Sequence, residues 1–178
     1  MAVDHPFVCR LPRVPTVIKE NQREIGTYGA GALFAVGWWF FVDGMVYASN
    51  QPGFPVRVGV EDYLPGIFAT LGMLITNSID LSLLNEDQFG YSSTSGGSTT
   101  LASRAKFTLF IGIALLAGGL AGSIASLCIK YLASGVATEY LYGGLATVFQ
   151  TLLVTLCSIV LWLVHNAEAE AQYNFVLN

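Results

Sequence analysis

Residues 107–129 read FTLFIGIALLAGGLAGSIASLCI, a run with no charged side chain and no proline. About 20 such residues in an α-helix cross the roughly 30 Å hydrocarbon core of a bilayer. Three further predominantly apolar stretches have similar length, at 26–48, 64–84 and 141–164. In lipid each must satisfy its own backbone hydrogen bonds, so each is expected to be helical. The composition agrees. Of the 178 residues 53% are hydrophobic and 11% charged, against about 25% charged in a typical soluble domain. The mean hydropathy is +0.58. A soluble surface cannot be covered by so few charges. The expected fold is an all-α integral membrane protein, a compact four-transmembrane-helix bundle.

The flanking segments are short. A tail at 1–25 carries Pro6, Pro12 and Pro15, and its part from Thr16 to Ile25 suits a short interfacial helix. The same tail has scattered charges and no apolar core before a cleavage site. The first span is therefore expected to serve as targeting signal as well as anchor. The segment 85–103 is rich in Ser, Thr and Gly and reads as a flexible loop. A second tail occupies 165–178. Lys and Arg fix the orientation. Arg10, Arg13, Lys19, Arg23, Arg104 and Lys106 fall on one side, Arg57 and Lys130 on the other. The positive-inside rule then places both termini in the cytosol.

Inside lipid, helices associate through small residues and polar contacts. The expected packing faces are Thr27, Gly31, Ala35, Trp39 and Asp43 in the first span and Gly66, Thr70, Met73, Asn77 and Asp80 in the second. They continue with Gly118, Gly122 and Ser126 in the third, and Gly144, Thr147, Thr151, Thr155 and Ser158 in the fourth. Gly31, Ala35, Trp39, Gly118, Gly122 and Ser126 are the candidates for helix packing or partner contact. Intramembrane polar groups form a second set: Asp43, Asn77, Asp80, Lys130 and Gln150. Asp43 and Lys130 come to the same depth in this topology and are expected to pair or share a network. Asp80 lies level with Arg104 and Lys106.

Several classes are disfavoured. Cys9, Cys128 and Cys157 are too far apart for a disulfide framework or zinc site. His5 and His165 stand apart from other ligands, and no nucleophile elbow or phosphate loop occurs. No enzyme, cofactor or metal is therefore expected. Basic-aromatic patterning for nucleic acid is also missing. The competing reading is a proton- or ion-handling subunit of a pump such as a rotary ATPase. It needs a carboxylate near mid-membrane, where this chain has Gln150 in its fourth span.

Particular stretches carry a family likeness: Gly37-Trp38-Trp39 with Asp43, then Ile75-Thr76-Asn77-Ser78. These are followed by Arg104, Phe110-Ile111-Gly112, Ser123-Ile124-Ala125-Ser126, Tyr142 with Gly144, and Val148-Phe149-Gln150. In order and spacing the chain resembles the transmembrane protein 50 family, also called uncharacterised protein family 0220. The likeness is to its fungal branch, that of the vacuolar protein sorting-associated protein 68. Thr151 departs from the animal pattern, which has Asn there. The resemblance implies a role in transport from late endosome to vacuole, as an integral protein of those membranes with no enzymatic activity. It also implies a partner, a small four-span membrane protein resembling vacuolar protein sorting-associated protein 55. Cytosolic sorting machinery is a further expected contact, and the lipid bilayer is the surrounding medium.

Overall fold

A computed structural model describes residues 22–51, 58–79, 98–135 and 140–176. Among the described residues four α-helices carry the fold: α1 (Gln22–Asn50), α2 (Leu64–Asn77), α3 (Ser98–Ser126) and α4 (Tyr142–Val176). A 3-10 turn, Val60–Asp62, precedes α2, and α3 runs into a π-helical turn, Leu127–Leu132. Among the described residues three helical stretches are long and apolar enough to cross a membrane: Arg23–Asn50, Ser103–Leu132 and Tyr142–His165. These match the first, third and fourth expected spans within a few residues.

The second expected span is corrected. α2 has 14 residues, about 21 Å of helix, and it ends at Asn77 instead of continuing to 84. The cause is local. Asn77 Nδ2 donates to the Met73 carbonyl at 2.9 Å, and Ser78 Oγ donates to the Leu74 carbonyl at 2.6 Å. Side chains of this type compete with the backbone for its own acceptors and favour helix ends. Residues 80–84 lie outside the described residues. At the other end of α2, Pro65 sits in the first turn, where its missing N–H costs nothing. A second correction concerns the loop 85–103. Its last part, from Ser98, is already the first turns of α3, which suits hydroxyl residues followed by Leu101 and Ala102.

Successive helices run antiparallel. Gly26 lies against Val164 and Gly44 against Ala146, so α1 and α4 run in opposite directions. Gly119 meets Pro65 and Ala69, while Gly72 meets Gly112 and Leu116, which sets α2 against α3 the same way. The start of α1 and the His165 end of the fourth span therefore share one end of the bundle. The core between the helices is built from Ala30, Ala69, Met73, Leu116, Val154 and Cys157. Outside, large apolar side chains are exposed, among them Phe107, Phe110, Ile129 and Leu163. That surface is suited to lipid, which is as apolar as leucine.

The expected packing face of α1 is also corrected. Thr27, Gly31, Ala35, Trp39 and Asp43 are all exposed. Each four-residue step on a helix of 3.6 residues per turn advances about 40°, so a stripe spaced by fours winds round the helix. The buried face follows a spacing of sevens: Ala30, Gly37 and Gly44, with Phe41 and Ala48 beside them. In α3 the buried line is Gly112, Leu116, Gly119 and Ser123. Gly118 is exposed, and Gly122 and Ser126 are half-buried. In α4 the expected face holds. Gly144, Thr147, Thr151 and Ser158 are buried and Thr155 partly so.

Candidate functional site

At the end of the bundle where α1 finishes and α4 begins, charge collects around Lys130. Its Nζ donates to Asp62 Oδ2 at 2.6 Å and to Glu61 Oε1 at 2.9 Å. Asp62 is 2% exposed. Its Oδ2 also accepts the Gly59 N–H at 2.9 Å, and its Oδ1 lies 3.4 Å from the Ser126 hydroxyl. Lys130 belongs to the π-helical turn, where the Ala133 N–H reaches back five residues to the Cys128 carbonyl at 2.8 Å. Such turns carry one extra residue and re-aim the side chains on them. Here Tyr131 is buried against Gly143 and Gly144. Gly135 then reverses the chain at φ +62°, a conformation glycine adopts without penalty. The Lys130 ammonium, with the Glu61 backbone N–H, holds the exposed Glu61 carboxyl below the usual carboxylate range.

The expected pairing of Asp43 with Lys130 is not what forms. Asp43 Oδ2 accepts the Tyr142 hydroxyl at 2.6 Å, and Tyr142 stacks edge-on with Tyr47 at 5.5 Å. Asp43 opens onto a hollow of about 440 Å³ lined by Val46, Tyr47 and Asn50. It shares the Lys130 end of the bundle, but two nearer carboxylates take the ammonium. Glu61 and Asp62 precede the apolar run, so hydropathy does not single them out; the scarcity of cations at this end, Arg57 and Lys130, is the sequence signal that points to them. Asp80, expected level with Arg104 and Lys106, lies outside the described residues.

Deeper in the bundle, two hydroxyl and amide contacts join helices. Asn77 Nδ2 donates to Ser158 Oγ at 3.0 Å, joining α2 to α4, and the Ser123 and Thr151 hydroxyls are hydrogen-bonded at 2.8 Å, joining α3 to α4. Gln150 is fully buried and both atoms of its amide lack a hydrogen-bond partner. It lies against Gly66, where a methyl group would come 2.5 Å from Gln150 Oε1. The expected polar network is thus split. Asn77 has a partner on another helix, Gln150 is buried against Gly66, and Asp43 and Lys130 serve separate contacts at one end.

Chemically, this arrangement holds helices together. The carboxylates described with their side chains (Glu24, Asp43, Glu61 and Asp62) all lie toward the helix ends or in the connection before α2. No group of three His, Cys, Asp or Glu side chains among the described residues is placed to hold a metal ion. Gly31, Ala35, Trp39 and Gly118 face outward, and nothing lies within 4 Å of a methyl group placed at Gly31 or Gly118. On another side, an apolar cleft of about 530 Å³ opens between α3 and α4, with Thr76 of α2 at its inner edge.

Comparison with known proteins places these features in company. The profile of the Uncharacterised protein family (UPF0220) matches residues 4–171. The chain is 36% identical to vacuolar protein sorting-associated protein 68 of Saccharomyces cerevisiae, over 99% of each chain. It is also 36% identical to a UPF0220 protein of Schizosaccharomyces pombe, over 88% of this chain and 89% of that one. Identity to a transmembrane protein 50 homolog of Dictyostelium discoideum is 32%, over 74% and 83%. No solved structure matches.

Proposed function

The chain belongs to the Uncharacterised protein family (UPF0220), and from that premise we propose that it serves vacuolar protein sorting as a non-enzymatic membrane adaptor. The full-length similarity to a yeast relative named for that process supports the reading. The membrane is that of the endosome or vacuole. Both termini face the cytosol, and α2 makes the second of four crossings. The partner is a small four-span membrane protein resembling vacuolar protein sorting-associated protein 55.

The observation that carries the mechanism is the outward placement of Gly31, Ala35, Trp39 and Gly118. Trp39 is 77% exposed, and the small residues beside it allow another helix to approach closely. The bundle is already closed without them, through Gly37, Gly44, Gly72 and Gly119. Binding by the outer faces therefore needs no rearrangement inside. Cytosolic sorting machinery would meet the tail 1–25 and the link between α2 and α3.

The test is purification of the tagged full chain from native membranes in mild detergent, with identification of what stays bound in stoichiometric amount. Gly31→Leu, Trp39→Ala and Gly118→Leu should each leave the monomer's stability unchanged, and at least one should release the small membrane partner. Retention of that partner by the triple variant rules out lateral packing through these faces. Recovery of pump subunits in its place rules out the adaptor reading.

A further inference from the structure

The helices form two pairs. Within each pair, helices meet closely through small residues. Gly44 against Ala146 joins α1 to α4, and Gly72 against Gly112, with Gly119 against Ala69, joins α2 to α3. Between the pairs runs a polar seam. It carries the Asn77–Ser158 and Ser123–Thr151 hydrogen bonds, and its middle is filled by the buried Gln150 amide against Gly66. Gln150 Oε1 and Nε2 and Asn77 Oδ1 find no hydrogen-bond partner among the described residues. Lipid gives apolar helix faces no drive to stay together, and an orphaned buried polar group weakens the contact that buries it. The seam is therefore the boundary most ready to part. Its two ends differ. At the Lys130 end, Leu127 and Tyr131 seat on Gly144, and Phe41 of α1 packs edge-on against Tyr63 at 5.3 Å. The chain crosses between the pairs at that end alone, from α1 to α2 and from α3 to α4 through Gly135. At the His165 end no connection crosses, and the apolar cleft already holds α3 off α4 between Leu109 and Trp162.

We propose that the bundle opens along this seam, the α2–α3 pair swinging away from the α1–α4 pair about the Lys130 end while each pair stays intact. The Asn77–Ser158 bond breaks first, because it lies farthest from the hinge. The swing then uncovers Ser158 and Thr151 on one line of α4, with Gln150 beside them. The Lys130–Asp62 bond belongs to the α2–α3 pair and the Tyr142–Asp43 bond to the other, so neither resists the motion. Gly31, Ala35, Trp39 and Gly118 lie on exposed or outer faces of their pairs, which makes the opening independent of the partner contact proposed above.

Pairs of spin labels on exposed helix positions measure the motion in the full chain, reconstituted in lipid with Cys9, Cys128 and Cys157 replaced by Ala. Leu74 and Leu163 lie across the seam at its free end, and Ile129 and Leu145 lie across it at the hinge. Tyr28 with Leu163 and Leu74 with Phe110 each stay within one pair. Pulsed dipolar spectroscopy should give two distance populations for Leu74–Leu163 and one for each of the other three. Asn77→Leu should raise the ratio of longer to shorter distance about threefold, the equivalent of about 0.6 kcal/mol for one interhelical hydrogen bond. Gln150→Leu, which removes the orphaned amide, should lower that ratio about fivefold or more, the equivalent of about 1 kcal/mol. Gln150→Met repeats the test with an unbranched chain. A single Leu74–Leu163 distance in both the parent and Asn77→Leu overturns the proposal. So does equal broadening of the three control pairs, which marks a bundle loose throughout, and so does a second population whose share Asn77→Leu and the Gln150 variants leave unchanged.

Discussion

A methyl group added at Gly72 would sit 2.7 Å from the Leu116 amide nitrogen and 2.8 Å from the Gly112 carbonyl oxygen. Both are backbone atoms of α3 and neither can step aside. Gly72→Ala is therefore expected to push α2 off α3 and lower stability by about 1–3 kcal/mol, the usual cost of overpacking. Gly118→Ala meets nothing within 4 Å and should leave the melting temperature in detergent within about a degree of the parent, the change staying within ~0.5 kcal/mol. A second prediction concerns the Asn77–Ser158 contact. A double-mutant cycle with Asn77→Leu and Ser158→Ala should give a coupling of about 0.6 kcal/mol, and no more than about 2. The sequence made the importance of small residues plain at this scale but did not say which ones are buried. Gly118 and Gly119 are neighbours of identical chemistry. About 100° of helix rotation separates a lipid-facing position from one under Pro65, and only the partner helix decides between them.

The connection before α2 and the π-helical turn after α3 act as one clamp, and its ion pairs set a pH dependence. Glu61 has its folded-state acidity strengthened by Lys130, so its contribution to stability is complete above the ordinary carboxylate value of 4.5. It is lost as the pH falls through the lower folded-state value. Thermal unfolding in detergent should thus be flat in this respect above 4.5 and decline below it, and Glu61→Gln should remove that part of the decline. Lys130→Met leaves Asp62 buried without its cation and is expected to cost about 3 kcal/mol or more, as breaking a buried pair does. Asp62→Asn in the same chain should restore much of the loss. Helix positions were legible from hydropathy for α1, α3 and α4, since lipid demands long uninterrupted runs. The end of α2 was not. The apolar residues Leu81, Leu83 and Leu84 carry the hydropathy signal past Asn77 and Ser78, while the side chains of those two turn back on the helix. The π-helical turn left no trace in the pattern, because its register depends on contacts with Glu61, Asp62 and α4.

At the scale of the whole bundle, the contacts of Gly26 with Val164 and of Gly44 with Ala146 bring the two outer spans side by side along their length. Single cysteines placed at Gln51 and at His165, in a chain with Cys9, Cys128 and Cys157 replaced by Ala, should react with an impermeant thiol reagent from opposite faces of sealed vesicles. Labelling of both from one face would overturn the even number of crossings. A membrane fold was readable from composition, because 11% charge cannot solvate a surface, and its helical character from the four long apolar runs. The brevity of α2 bears finally on how the protein is made. A translocon judges each segment as it emerges, and 14 helical residues are short of the roughly 20 that partition into lipid unaided. α2 gains its place from α3, through Pro65 against Gly119 and Gly72 against Gly112, so the two should leave the translocation channel as a hairpin. In a nascent chain truncated at residue 97, a single cysteine in α2 should then react with a water-soluble thiol reagent, and in one extended through Leu132 it should be shielded.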